Sequence, residues 1–149
     1  SSINLNAFDY VCLCITWSMS RICMCFCSIP IRSFCRCDML ETVILHDNID
    51  YIDASCFDEN PSIKSFTIPP KVTDIPSYAF SKNTGMETLV IPVSVTHIGR
   101  AFVDKCSSLK VITYEGTMDQ WNNIDFYPGW NVGMSASYIQ CSDGQINLK

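Results

Sequence analysis

A constant step of 23 residues governs this chain. The clearest copy occupies residues 75–98, where Ile75, Phe80, Asn83, Met86, Leu89, Ile91 and Val95 define seven slots. One step toward the N-terminus these become Ile52, Phe57, Asn60, Ile63, Phe66, Ile68 and Val72; two steps away they are Ile29, Phe34, Cys37, Leu40, Val43, Leu45 and Ile49. One step toward the C-terminus they read Ile98, Val103, Cys106, Leu109, Ile112 and Tyr114. No slot in these four copies holds a charge. Self-similarity at a fixed period of this length is the signature of stacked units that bury a continuous core only against their neighbours.

Within a copy, the spacing Met86-x-x-Leu89-x-Ile91 and its equivalents alternates with period two, as in a short strand with one face buried. Pro69 and Pro92 end two of these strands by removing a ladder donor. A second extended segment, residues 95–98, leads into a bend marked by a small-then-large pair: Ser33-Phe34, Cys56-Phe57 and Ala79-Phe80. That segment is too short for a free-standing helix and predicts a turn or a 3₁₀ turn. Phe102-Val103 inverts the pair, so local repacking is expected there. Stacked coils place equivalent strands in a parallel sheet, about 4.8 Å apart.

The slot shared by Cys14, Cys37, Asn60, Asn83 and Cys106 asks for a small residue that can satisfy backbone at a turn. Asn does this with its amide and Cys with a weak thiol donor, which makes these cysteines structural. Before Ile29 the register weakens. Val11, Cys14, Trp17, Ile22 and Phe26 keep the 23-residue step, Ser20 breaks it, and Ala7-Phe8 fits only with three residues inserted. This first copy offers no polar cap, so the chain is expected to begin inside a longer array.

The pattern Ile-x-x-x-Ala-Phe-x-x-Cys/Asn-x-x-Leu-x-x-Ile-x-Ile-Pro-x-x-Val-x-x-Ile resembles the 23-residue leucine-rich repeat of the BspA-like, Treponema-type family. The ending is similar too, with Tyr114, Gly116, Thr117, Gln120, Trp121 and Ile124 followed by residues 139–144. The chain departs from that family in its Cys-dense first copy, in Asp53 and Pro76 where a Gly is usual (Gly99 matches), and in Phe102-Val103. The resemblance implies a right-handed leucine-rich repeat solenoid. It also implies a non-catalytic, adhesive, protein-binding role on a cell surface or in a secreted protein, with a host, neighbouring-cell or matrix protein as partner.

Three segments follow: a degenerate first repeat (1–28), regular repeats (29–116) and a capping segment (117–149). In the last, Thr117-Met-Asp-Gln120 reads as a capping box that opens a short helix, residues 136–141 read as a final strand, and residues 127–133 are turn-rich. Trp121 and Trp130 read as a lid over the last coil, with a ligand platform as the alternative.

Side chains expected to leave the sheet are Thr42, Ile44 and His46; Ser65, Thr67 and Pro69; Thr88, Val90 and Pro92; and Val111, Thr113 and Glu115. All but the two prolines form the candidate binding face, a ladder of Thr, Ser and Val lacking the Trp, Tyr and Arg of usual interface hot spots. A purely structural spacer and cap of a longer array is the rival reading.

Composition removes other classes. The net charge is −5, and the ten Lys and Arg are spread singly, leaving no basic stripe for nucleic acid. Residues 11–27 are apolar but fall short of the roughly 20 needed to span a bilayer and include Arg21. No basic leader precedes this run. Seven acids within residues 38–59 lack any cation-loop spacing and read as a solvated face. Most of the ten cysteines read as small buried hydrophobes. Two alternatives stay open: Cys23 and Cys25 with His46 around zinc, and disulfides joining Cys12 to Cys35 or Cys14 to Cys37. His46 and His97 occupy different slots, and no phosphate loop or nucleophile elbow is present, so neither catalysis nor a cofactor is expected.

Overall fold

The computed structural model describes residues 21–24, as backbone, and residues 28–148. Its strands are β1 (Arg21–Met24), β2 (Ser28–Ile29), β3 (Thr42–Leu45), β4 (Tyr51–Ile52), β5 (Ser65–Thr67), β6 (Asp74–Ile75), β7 (Thr88–Ile91), β8 (His97–Ile98) and β9 (Val111–Tyr114). Helix α1 (Met118–Asn122) then precedes β10 (Asp125–Phe126), β11 (Tyr138–Cys141) and β12 (Gly144–Asn147). This is a leucine-rich repeat solenoid whose coils each have three sides: a longer strand, a two-residue strand and a turn segment.

The longer strands form a sheet in the order β12-β11-β9-β7-β5, parallel except for β12. Phe66, Leu89, Ile112 and Ile139 are Cα partners across it and are all buried, which keeps the period-two alternation on one face. Strand β3 lies beside β5 and forms its ladder with β1. The two-residue strands stack as β10-β8-β6 and β2-β4.

The third side is a run of turns. Four of the described coils each carry two non-glycine residues in the left-handed region, four apart: Arg32 and Arg36, Ser55 and Glu59, Tyr78 and Lys82, Ala101 and Lys105. Such residues cost about 1–2 kcal/mol each, and neighbouring coils hold them in place. Phe34 N–H donates to Cys56 O at 2.9 Å, Arg36 N–H to Asp58 O at 3.0 Å, and Phe57 N–H to Ala79 O at 3.1 Å.

Inside these turns run two further columns. Phe34, Phe57 and Phe80 stack with ring centroids 5.5 and 5.8 Å apart, and Phe66 packs edge-on against Phe57 at 4.8 Å. Beside them, Asn60 Oδ1 accepts from Cys37 N–H and its Nδ2 donates to Phe34 O, both at 2.7 Å. Asn83 Oδ1 accepts from Asn60 N–H at the same distance, while its Nδ2 is buried without a partner among the described residues. Cys106 takes the same slot as a thiol. Its Sγ donates to Phe80 O at 3.0 Å, and burial pushes its pKa up to about 12. The structural role expected of this slot holds at Cys106; Cys14 lies outside the described residues.

The inverted Phe102-Val103 pair ends the phenylalanine column at Val103 and turns Phe102 toward Trp130, 6.3 Å away. Trp130 also meets Phe126 at 4.5 Å and Trp121 at 6.0 Å, so the tryptophans form the lid. Helix α1 opens with the expected capping box, Gln120 N–H donating to Thr117 Oγ1 at 3.2 Å and Thr117 N–H to Gln120 Oε1 at 2.9 Å. It buries Trp121.

The tail is more than a lid. Asp125 pairs with His97, 28 residues back, and Tyr138 with Val111, 27 back, so β10 and β11 belong to one more coil with α1 inserted at its corner. Gly129 (φ +82) and Gly133 (φ +67) stand at its two left-handed positions and accept from Ala101 N–H and Lys105 N–H. At the other end the step shortens. Arg21 pairs with Thr42 and Met24 with Leu45, 21 residues apart, whereas Ile29 pairs with Ile52 at the usual 23. This register sets Ile22 opposite Val43, a position that a uniform 23-residue step assigns to Ser20.

Two outcomes test these columns. Asn60→Ala removes the side chain that serves the half-buried Cys37 N–H and the buried Phe34 carbonyl and is expected to lower unfolding free energy by about 2–4 kcal/mol, with Asn60→Cys losing less; urea denaturation measures both. The second concerns Glu59, which joins Arg36 and Lys82 across three coils. Hydrogen bonds from Lys82 and Arg36 hold its carboxyl near pKa 2, below its usual 4.5. A depressed carboxylate stabilises the fold above its unfolded pKa and loses that effect as pH falls through its folded one. The wild-type advantage over Glu59→Gln should therefore shrink between about pH 4.5 and 2, read as the difference in thermal midpoint. Asp58 is raised by burial and also by the Glu59 charge; losing that charge in Glu59→Gln reduces its shift, so Asp58 partly offsets the shrinkage.

Candidate functional site

The outward face of the main sheet is two rows wide. Ser65, Thr88 and Val111 are Cα partners in one row, and Thr67, Val90 and Thr113 in the other. Ser65, Thr67, Thr88 and Thr113 are exposed, whereas Val90 and Val111 are half-buried. Both rows continue into the tail through residues that the repeat pattern alone does not supply: Tyr138 and Asn147 extend the first, and Gln140 and Gln145 the second. The alternation in residues 136–141 carried this signal, hidden by the inserted helix, which breaks the 23-residue step.

On β3, Thr42 is half-buried and Ile44 is 46% exposed. His46 follows the strand, exposed, with its Nδ1 accepting from Asn48 N–H at 3.1 Å. Glu115 follows β9, also exposed, with its N–H donating to Ile91 O. These residues flank the rows without entering them.

Pro69 and Pro92, expected to project outward, are buried. The chain rounds the corner toward the second sheet there, so Ile68-Pro69 and Ile91-Pro92 both face inward and the period of two stops.

The proposed zinc grouping meets a similar correction. The β1–β3 ladder sets Cys23 opposite Ile44, two residues short of His46, because this coil has a 21-residue step. Cys25 lies outside the described residues, as do Cys12 and Cys14 of the alternative disulfides. Among the described residues, no cluster of three or more His, Cys, Asp and Glu side chains is arranged to hold a metal ion. Cys56, Cys106 and Cys141 are buried thiols outside any disulfide. No helix among the described residues is long and apolar enough to cross a membrane.

The second sheet presents a different surface. Its outward row is Tyr51, Asp74, His97 and Asp125, and a shallow groove of about 440 Å³ runs along it. His97 Nε2 lies 2.9 Å from Asp125 Oδ2, and its Nδ1 lies 3.7 Å from Asp74 Oδ1. A smaller cleft of about 180 Å³ lies beside α1, between Val93 and Asn123. The large candidate face is thus neutral and hydroxyl-rich, and the smaller one is acidic and aromatic.

Comparison with solved structures returns the same architecture. A leucine-rich repeat protein from Bacteroides ovatus ATCC 8483 superposes with a TM-score of 0.67 at 20% identity, over 81% of this chain and 30% of that one. A leucine rich cell surface protein from Faecalibacterium prausnitzii A2-165 superposes with a TM-score of 0.55 at 26% identity, over 71% of this chain and 35% of that one. The chain thus spans about a third of the length of these structures. No curated protein matches it. The family model of the BspA type leucine rich repeat region matches in six copies across residues 1–129. With that match covering most of its length and the ladders confirming the coils, the chain belongs to the BspA-type leucine-rich repeat family.

Proposed function

We propose that this chain is a non-catalytic, adhesive protein-binding module of a cell-surface or secreted protein, and that it recognises a partner protein through the outward face of the parallel sheet. Leucine-rich repeat proteins usually serve as protein-interaction scaffolds. The observation that supports this face is its continuity. The two uncharged rows of Ser65, Thr88 and Val111 and of Thr67, Val90 and Thr113 keep register across β5, β7 and β9 and pass into the tail through Tyr138 and Gln140. A flat, rigid, neutral surface of this kind binds by shape and hydrogen bonding rather than by charge. Tyr138, half-buried at its end, adds the aromatic anchor that the hydroxyl ladder lacks.

A second reading is that the chain serves as a spacer and cap within a longer array. What favours it is the closed C-terminal end, where β12 runs antiparallel to β11 and Trp121 and Trp130 cover the final coil. Finding further repeats upstream in the native reading frame would support this reading.

The test begins with capture of a ligand on an array of matrix and cell-surface proteins. The variant Thr42→Glu, Thr67→Glu, Thr88→Glu, Thr113→Glu should then reduce binding at least about tenfold while leaving the unfolding midpoint nearly in place, since three of the four sites are exposed and the half-buried Thr42 stands at the flank. Undiminished capture by this folded variant removes the sheet face from consideration.

A further inference from the structure

The groove along the second sheet is built from different chemistry and stands apart from the sheet-face reading. Its polar row falls on consecutive strands: Asp74 of β6 and Asp125 of β10 are the Cα partners that flank His97 of β8. Beneath them Ile75 and Ile98 are buried, so the alternation drives all three polar side chains outward. A tyrosine stands at each end of the groove, Tyr51 being 52% exposed and Tyr127 59% exposed.

The fixed charges in this lining are negative. It contains two carboxylates and no Lys or Arg, and the only basic group is His97, which carries charge only when protonated. The Ser77 hydroxyl already accepts from Arg100 N–H at 3.0 Å. A site with two carboxylates, bordered by aromatic faces, suits a cationic ligand such as one bearing ammonium or guanidinium groups. The chain's net charge of −5 adds attraction of the same sign.

We infer that this groove binds an extended basic peptide segment, with one Lys or Arg beside Tyr51 and Asp74 and a second beside Asp125 and Tyr127. Two parallel-strand spacings separate the carboxylates, about 10 Å. Three residues of a polyproline II segment, whose positions i and i+3 share one face, rise about the same distance, which gives a preferred spacing of basic-x-x-basic. Asp74 Oδ2 also accepts from Thr73 Oγ1 at 2.6 Å, so one carboxylate is held before any ligand arrives.

The experiment titrates the folded chain with three probes: the acetylated peptide GRGGRG, its charge-reversed counterpart GEGGEG, and cellohexaose. Backbone amide NMR and calorimetry provide the readouts. The expected result is saturable binding of GRGGRG alone, with shifts centred on residues 74, 97 and 125 and a marked loss of affinity as salt rises. The double variant Asp74→Asn, Asp125→Asn should weaken binding about tenfold. His97→Lys, which places a permanent cation between the carboxylates, should weaken it at least as much. Circular dichroism checks that both variants stay folded. Equal affinity for GRGGRG in these folded variants, equal binding of GEGGEG, or shifts at the groove with cellohexaose would each overturn the assignment. The four-threonine sheet-face variant leaves the groove unchanged, so the two readings fail separately.

Discussion

Everything in this solenoid rests on one requirement, that the buried backbone of each turn segment finds its hydrogen-bond partners in the neighbouring coil. Unsatisfied amides inside a protein cost as much as a lost hydrogen bond. The strands meet the requirement by laddering, but the turns have no strand to lean on. They meet it with the Asn/Cys column and with main-chain bonds such as Phe34 N–H to Cys56 O. Eight left-handed non-glycine residues are tolerated because these bonds cross from coil to coil. The phenylalanine column then fills the space they enclose.

The two candidate surfaces follow from that frame. Because coils stack in register, any residue type repeated at one slot becomes a row on the outside of the molecule. A slot of Ser, Thr and Val generates the neutral sheet face, and the slot of Tyr51, Asp74, His97 and Asp125 generates the acidic groove. Cys106 in the buried column is inert for the same geometric reason, being held against the Phe80 carbonyl with its ionisation suppressed by burial.

Much of the fold was legible in the sequence because a 23-residue period with uncharged slots admits few alternatives. The buried set from Ile29 to Tyr114 apart from the half-buried Cys37, Val43 and Leu45, the strand alternation, the capping box at Thr117 and the lid role of Trp121 could all be read from residue type and spacing. What escaped was wherever the period changed. The α1 insertion hid that Asp125 and Tyr138 continue the two sheets, and the 21-residue first step moved Cys23 away from His46. Pro69 and Pro92 misled because alternation ends at a corner, and a corner leaves no mark in hydrophobic pattern. The candidate face could be enumerated from alternation, whereas the groove required knowing which slots become neighbours on the short side.

The placement of α1 has a consequence for how such chains vary over time. A residue added within a strand or within the turn segment would throw several ladders out of register together, since each coil is tied to the next on three sides. The five extra residues that carry α1 fall at a corner where no coil-spanning ladder passes. Whole coils can be copied or deleted with every contact rebuilt by the next unit, while smaller edits are confined to such bends. Heritable novelty in this architecture is therefore quantised along the axis and continuous only at its corners.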